Sequence, residues 1–443
     1  MKKIAWLLLT PFIASPVLAA DLMQVYRAAQ DNDPNYAAAR ATLDAGREKM
    51  PQGRAGLLPS LTLSGNTVWN ENDVSIRNNP SLNAKPHFNS NGYQLTLSQP
   101  LFRWQNWVTY DQTKLQVVQA EASFAQARQD LIIRVSQAYF DVLYATENLT
   151  AVRANKSAID QQLASAKKNF EVGTATITDT HEAQARFDLA VAQEIAAESD
   201  LEVKSRTLEA IIGKEPGALA GPRKDAALNP PQPSDMNQWV AAAEKDSITV
   251  QIQQAVADIA AREIDKQRAG HYPTLDLVAN VGNSKSLGST SIGLLDTDYQ
   301  NVGVQLNIPI FQGGVVVSRQ REAAANRTAA QSNLEAARRS AALSSRQYYL
   351  GVVNGLAQVR ALKAALVSSQ SALESNKLGY EVGVRINIDV LNAENQVYVT
   401  RRDLAKAMLD TLMAQLKLKA AVGSLGEDDV TQINTLLDPS TAQ

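Results

Sequence analysis

The chain has 443 residues, of which 45% are hydrophobic and 20% are charged, and its formal charge of −2 indicates neither a nucleic-acid binder nor an acidic tail. Cysteine is absent, which excludes disulfides, thiol catalysis, cysteine-bound metals and a lipid-acylated cysteine. A mean hydropathy of −0.22 and the lack of an internal apolar run of about 18 residues argue against helical membrane spans.

Residues 1–19 have the pattern of a secretory signal peptide. Lys2 and Lys3 form its charged start, Ile4 to Leu18 its mostly apolar segment, and Ala19 ends a small-residue cleavage site. A short membrane anchor is the alternative, but prolines and hydroxyl residues interrupt the apolar run. The sequence therefore predicts an exported protein whose mature chain starts at Ala20.

Short motifs recur in the same order about 210 residues apart, which indicates two copies of one unit rather than chance resemblance. Ala55 to Leu61 recurs as Ala269 to Leu275, Phe170 to Gly173 as Tyr380 to Gly383, and Ile211 to Gly213 as Ala421 to Gly423. We expect a first repeat over 20–213, a proline-rich linker over 214–235, a second repeat over 236–423 and a C-terminal segment over 424–443.

Each repeat contains two stretches of alternating apolar and polar residues, a pattern typical of strands with one apolar face. They lie at about 61–70, 92–101, 275–283 and 301–310, with polar loops over 70–91 and 283–300. Their length suits a tilted transmembrane strand. A half-buried sheet in a soluble domain has the same alternation, but aromatic residues at one end of the strands favour lipid. They are Phe102, Trp104, Trp107, Tyr272 and Phe311.

Long helices are predicted after each strand pair, at about 103–170 and 313–380, followed by helices at about 175–212 and 386–422. The first long segment has neither proline nor glycine and would extend roughly 100 Å. Its two heptad seams favour two helical neighbours, with a plain two-stranded coiled coil as the alternative. Four strands cannot close a barrel, and open sheet edges are prohibitive in lipid, so we expect an oligomer of a size that the pattern leaves open.

The duplicated plan and its motifs resemble the TolC family of outer-membrane efflux and type I secretion channels. The motifs are Asn169 to Gly173 with Ile177 to Asp179, Gly379 to Arg385 with Asp389 to Asn392, Leu22 to Tyr26, and Ala421 to Leu425. The resemblance implies a mixed α and β fold. Three copies would form a twelve-stranded β-barrel in the outer membrane of a Gram-negative bacterium, continuing into a periplasmic α-helical barrel. The linker and C-terminal segment would form an equatorial region.

The resemblance also implies partners and a gate. The partners are a periplasmic adaptor (membrane fusion) protein and an inner-membrane ABC, RND or MFS transporter. At the gate, Tyr380 and Arg385 would contact the turn that holds Thr178 and Asp179. Asp389 would form a carboxylate ring that prefers cations and binds multivalent ones, which would block the pore. Asn392 stands where many members of the family have a second acidic residue, so cation binding should be weaker here.

No catalytic constellation is found in the sequence. His87, His181 and His271 lie in no metal-binding spacing, and no nucleophile motif or cofactor fingerprint occurs. We therefore expect neither enzyme activity nor a cofactor. An export channel is the expected function, and a periplasmic coiled-coil scaffold or adaptor without a pore is the alternative. Four strands of membrane-spanning length favour the channel.

Overall fold

The fold is mixed α and β and mostly helical, and a computed structural model describes residues 19–75, 77–174, 176–223, 228–287 and 294–438. The predicted signal peptide lies outside these residues, apart from Ala19. The helices are α1 (Leu22–Asn32), α2 (Pro34–Arg47), α3 (Lys49–Ala55), α4 (Trp104–Glu171), α5 (Ile177–Ile212), α6 (Met236–Asp246), α7 (Ile248–Arg268), α8 (Val315–Glu381), α9 (Asn387–Ala421) and α10 (Glu427–Asn434). The strands are β1 (Ser60–Glu71), β2 (His87–Phe102), β3 (Gly221–Pro222), β4 (Thr274–Leu287), β5 (Leu294–Asn307) and β6 (Leu437–Asp438). Pro80–Leu82 and Ala269–His271 are short 3-10 helices.

The two halves of the chain have the same order of elements. In each half a strand pair precedes a helix of 68 residues (α4) or 67 residues (α8). A second helix of 36 residues (α5) or 35 residues (α9) follows. Helices α4 and α8 both end just before a Val-Gly turn, where glycine adopts the left-handed conformation that other residues avoid.

The strands are longer than the alternation predicted. The predicted bounds of the polar loops, 70–91 and 283–300, are therefore wrong, because strand residues occupy both ends of each range. Strand β2 begins at His87, β4 continues to Leu287 and β5 begins at Leu294. Backbone pairing needs no apolar side chain, and polar side chains bond across these extensions. The Asn70 amide donates to Ser90 Oγ at 2.8 Å, and the Asn283 amide donates to Asp296 Oδ1 at 2.7 Å.

The chain divides into two compact units, which we call the strand unit and the turn unit. The strand unit comprises Arg40–Phe124 and Thr249–Ala337, and the turn unit comprises Met1–Ala39, Ala125–Ile248 and Arg338–Gln443. The strand unit contains an antiparallel sheet in the order β1-β2-β4-β5. Strands β2 and β4 therefore join the two halves of the sequence, and β1 and β5 are its edges.

The core of the turn unit lies where α1, α4, α5, α9 and α10 supply buried apolar side chains. Tyr139 is fully buried, and its hydroxyl donates to the carbonyl of Ala220 at 2.7 Å. Buried Asp33 accepts two hydrogen bonds from the Arg134 guanidinium, at 2.9 and 3.1 Å. Satisfying these polar groups matters because an unpaired buried donor or acceptor costs about 1–3 kcal/mol. Strands β3 and β6 form a two-stranded sheet in this unit.

Among the residues that the structure describes, one helix is long and apolar enough to cross a membrane. Within Val315–Glu381 an 18-residue window has a mean hydropathy of 1.3, and 11% of it is buried. The expectation of no such segment is therefore wrong by this measure. A single apolar window is weak evidence for a span, because alanine-rich helices that pack against other helices have similar hydropathy.

Candidate functional site

The four-stranded sheet of the strand unit has one apolar face. Strand register places alternate residues of all four strands on the same side, and these are mainly leucine and valine. Many stay exposed in the single chain, including Leu63 at 71% and Val302 at 75%. A contiguous exposed apolar surface of this kind needs an apolar partner. Its members are Leu61, Leu63, Leu95, Leu97, Leu275, Leu277, Ala279, Val281, Val302, Val304 and Leu306.

The opposite face is polar and almost free of charge. At its centre the Gln94 amide and the Thr96 hydroxyl both donate to Asn280 Oδ1 at 2.8 Å. Asn280 in turn donates to Asn301 at 2.9 Å, and the Tyr299 hydroxyl donates to Gln94 at 3.0 Å. Among the described strand residues, Asp276 is the one charged residue on this face.

Aromatic side chains mark both ends of the apolar face. Phe102 lies at the end that sequence analysis identified, and Tyr93 and Trp69 lie at the other end, both well exposed. Tyr93 and Phe102 are nine residues apart, which is about 30 Å along a strand. A tilt of about 40° reduces this to roughly 23 Å along a membrane normal, close to the apolar height of outer-membrane barrels. The aromatic residues at this second end were not predicted from the sequence.

A β-bulge at the end of β2 changes which face its residues occupy. The register shifts between Pro100, which pairs with Asp276, and Phe102, which pairs with Leu275. Phe102 therefore joins the apolar face despite its even number. The next residue, Arg103, bonds to Asp276 on the polar face, with Nε to Oδ1 at 2.8 Å and a terminal guanidinium nitrogen to Oδ2 at 2.7 Å. Two parallel bonds of this kind form one of the stronger ion-pair geometries.

The turn unit holds two helical hairpins whose turns begin with a matching backbone. Gly173 and Gly383 both have φ of +79°. Thr174 N donates to Asn169 O at 2.8 Å in the α4–α5 turn, and Val384 N donates to Gly379 O at 2.9 Å in the α8–α9 turn. These bonds satisfy helix carbonyls that would otherwise lack partners.

The side chains that cap the following helices differ. Thr176 caps α5 by accepting from Asp179 N at 3.3 Å, and Asp179 accepts from Thr176 N at 2.9 Å, which forms a capping box. Hydrogen bonds from the Thr176 backbone and hydroxyl lower the pKa of Asp179. At the matching position of α9, Ile386 offers no side-chain cap. Asp389 instead lies 3.6 Å from the Arg385 guanidinium.

The single chain places the predicted gate residues in these two turns. Thr178 and Asp179 lie in the first turn of α5, Asp389 lies in the first turn of α9, and Tyr380 and Arg385 flank the α8–α9 turn. Within the described residues, no hydrogen bond or ion pair joins Tyr380 or Arg385 to Thr178 or Asp179. The gate contact therefore stays a prediction for an assembly of several chains.

Arg186 connects the two hairpins close to these turns. Its guanidinium donates to Asn392 Oδ1 at 3.2 Å and to Glu182 at 3.2 Å. Ile159 of α4, Ala190 of α5 and Leu391 of α9 form an apolar cluster. Asn392, noted in the sequence as a departure from the family pattern, is thus a hydrogen-bond acceptor between hairpins.

The roles of Arg103, Asp276 and Arg186 were not predicted from the sequence. The available signal for Asp276 was a lone carboxylate at a polar position of an alternating strand. Arg103 stands at the start of a predicted long helix, and its partner is 173 positions away. No local pattern indicates a pair at that separation.

Comparison with known proteins gives consistent results over nearly the whole chain. The family model described as outer membrane efflux protein matches residues 25–214 and 239–424. The chain is 33% identical over 426 residues to the outer membrane protein TolC of Vibrio cholerae, with 95% of each chain covered. It is 31% identical over 423 residues to the proteases secretion protein PrtF of Dickeya chrysanthemi, covering 94% of this chain and 90% of that one.

A solved structure shows the same fold at low identity. The Campylobacter jejuni CmeC outer membrane channel superposes with a TM-score of 0.78 and 16% identity, covering 95% of this chain and 90% of that one.

Proposed function

Because the chain belongs to the outer membrane efflux protein family, we propose that three copies of this outer-membrane protein form one exit channel extending into the periplasm. The observation that carries this proposal is the open sheet with one apolar and one polar face. In lipid every backbone group needs a partner, so β1 and β5 must pair with strands of other copies. Three copies supply twelve strands, a number within the range of closed outer-membrane barrels.

Exposed apolar residues on the helices support oligomer formation. Leu189 and Val203 on α5 and Leu343 and Leu350 on α8 are exposed in the single chain. Spacings of seven residues, or two sevens, place each pair on one side of its helix, as in packed helical barrels. Contacts between copies would remove these surfaces from water, at about 25 cal/mol for each Å² buried.

In the assembled channel the apolar face contacts outer-membrane lipid and the polar face lines the lumen. A lumen of amide and hydroxyl groups suits passive passage of water-soluble cargo. The family is a transport family, and we assign the chain no enzymatic activity and no cofactor.

Active export from the cell needs an energy source. The chain has no nucleotide-binding motif, so a partner must supply that energy. We therefore propose that the channel docks with a periplasmic adaptor and an inner-membrane ABC, RND or MFS transporter. The similarity to PrtF, named for protease secretion, supports protein cargo in type I secretion. The family description names efflux, and we propose multidrug efflux as a second transport role.

The two hairpin turns form the proposed gate. Tyr380 and Arg385 of one turn contact the α4–α5 turn with Thr178 and Asp179, and weak links repeated around three copies hold the entrance closed. Each exposed link is worth about 0–1 kcal/mol, so a docking partner could break them. Asp389 contributes a ring of carboxylates that binds multivalent cations, and this binding is weaker because Asn392 stands in place of a second acidic residue.

The chain organisation proposed from the sequence gives a processed N-terminus followed by two repeats. Cleavage after Ala19 would start the mature chain at Ala20. Ala20 N donates to Ala218 O at 2.8 Å, and Ala20 O accepts from Ala220 N at 3.1 Å. Both backbone groups of Ala20 thus have hydrogen-bond partners in the fold. Mass spectrometry of the purified protein would test the cleavage site.

Planar bilayer recording tests the channel. Purified protein, shown by light scattering to be trimeric in detergent, should give unitary conductance steps. A folded trimer without conductance would contradict the channel, and a folded protein of another stoichiometry would contradict the trimer.

The gate is tested by replacing Tyr380 with Phe and Arg385 with Ser together. The double variant should conduct better than the parent. Arg360→Ser on α8, outside the turn, is the control and should conduct as the parent does. Equal conductance of the double variant and the parent would show that these residues do not hold the gate.

A further inference from the structure

The Arg103–Asp276 pair is the main charged feature on the polar face of the sheet. The other charged strand residues, Glu71, Lys285, Asp296 and Asp298, lie on the opposite side by register. Beyond Val281 and Val302 that side becomes polar, and Lys285 pairs with Asp296 at 2.8 Å. These four residues are thus beyond the apolar band and away from the lumen side.

We propose that Arg103 is a specificity-determining residue, which cancels the charge of Asp276 so that the strand region of the channel conducts cations and anions alike. This inference rests on the proposed function. The Asp276 side chain is 9% exposed and the Arg103 side chain is 44% exposed. The guanidinium therefore covers the carboxylate and is itself accessible from the polar face.

The physical reason lies in how fixed charges select ions. A ring of unpaired carboxylates in a pore favours cations, and a ring of unpaired arginines favours anions. Three chains place three copies of Asp276 around the lumen. The two-bond geometry brings an opposite charge next to each carboxylate, so the field of the pair falls off as that of a dipole. The surrounding polar face adds neutral amide and hydroxyl groups, which do not discriminate between ions of opposite sign.

Ion selectivity in planar bilayers under a KCl gradient tests this role at pH 8. Asp276→Asn leaves an arginine that stays charged at any accessible pH, and it should shift the reversal potential toward chloride. Arg103→Gln should shift it toward potassium. The double variant should return to the parent value. We expect each single variant to change the permeability ratio by roughly twofold or more.

A positive control comes from the same face. Asn280→Asp adds a carboxylate without an arginine partner and should shift the reversal potential toward potassium. Circular dichroism and light scattering should show that all variants remain folded and oligomeric.

The outcomes separate this inference from the proposed function. Parent protein without conductance would contradict the channel itself. If Asn280→Asp shifts selectivity and Asp276→Asn does not, the channel stands and the role of Arg103 is wrong. Shifts of the same sign in both single variants would also overturn the role. Removing a carboxylate and removing a guanidinium should change ion selectivity in opposite directions if charge is the cause.

Discussion

The α4–α5 turn and the α8–α9 turn match in their left-handed glycine and in their cap dihedrals, but the acidic residue that follows has a different partner in each. Thr176 and Ile386 occupy the same cap position with nearly the same dihedrals, φ of −90° and −95° and ψ of 159° in both. Threonine brings Asp179 into a capping box, whereas isoleucine leaves Asp389 without that partner. Asp389 lies instead beside Arg385.

A single side chain at the cap position therefore decides whether the acidic residue of a turn bonds within that turn or can interact elsewhere. A capping box satisfies backbone donors and strengthens the start of a helix. A pair between exposed side chains adds little and exchanges partners readily. Turn α4–α5 is therefore the fixed partner in the proposed gate, and turn α8–α9 is the adaptable one.

The largest expected effect comes from the glycine that the two turns share. Gly173→Ala or Gly383→Ala places a side chain at positive φ, which costs roughly 1–2 kcal/mol. Amide hydrogen exchange in the adjoining helical turns should accelerate by about 5- to 30-fold. Gly217→Ala is the control, because that residue lies in open space and has no positive φ. Unchanged exchange in both turn variants would contradict a need for glycine.

Removing the cap side chain should destabilise one turn more than the other. Thr176→Ala should destabilise the start of α5 by about 1 kcal/mol, because the N-cap acceptor is lost. Ile386→Ala is the matched change and should affect the start of α9 less, since no side-chain cap exists there. Hydrogen exchange of the two helix starts measures both. Equal acceleration in both variants would argue against the capping box as the difference.

Transferring the cap should make the turns alike. Residue 386 already has the backbone geometry of a cap. In Ile386→Thr the Asp389 carboxylate should therefore accept hydrogen bonds from residue 386 and no longer pair with Arg385. We expect slower exchange at the start of α9, by a stabilisation of about 0.5–1 kcal/mol. A crystal structure or crosslinking of the variant would show the rearrangement. If the Arg385–Asp389 pair persists and exchange is unchanged, the residue at the cap position does not decide the partner of Asp389.

The smallest expected effect is a dependence on pH that is confined to the capped turn. Hydrogen bonds from Thr176 lower the pKa of Asp179 in the folded state. The resulting stability is present above the ordinary aspartate pKa of about 3.9 and is lost as pH falls through the lower folded value. Protection of the start of α5 should decrease over that acidic range. Thr176→Ala removes the hydroxyl donor and keeps the backbone donor, so it should reduce this dependence. Asp179→Asn should abolish it, and an unchanged dependence in that variant would point to another group.

Much of the fold could be predicted from local sequence patterns. The absence of proline and glycine indicated α4, and the alternation of leucine with polar residues indicated β1 and the apolar part of β2. The polar ends of the strands could not be predicted, because Asn283 pairs with Asp296 and Asp298 only once the backbone register is set. The two hairpin turns of the proposed gate could be located by their motif. Their different capping depends on Thr176 and Ile386, and only the folded backbone shows that these two residues occupy matching cap positions.

Features that depend on neighbouring residues follow from the amino-acid sequence alone. These are the long helices, the turns at Gly173 and Gly383, and the strands with one apolar face, because backbone preference and side-chain periodicity act over a few positions. Three features could be seen only in the tertiary structure. They are the pairing of β2 with β4, the bulge that places Phe102 on the apolar face, and the bonding of Arg103 to Asp276. These depend on contacts between distant parts of the chain, whose geometry exists only after the strands have paired.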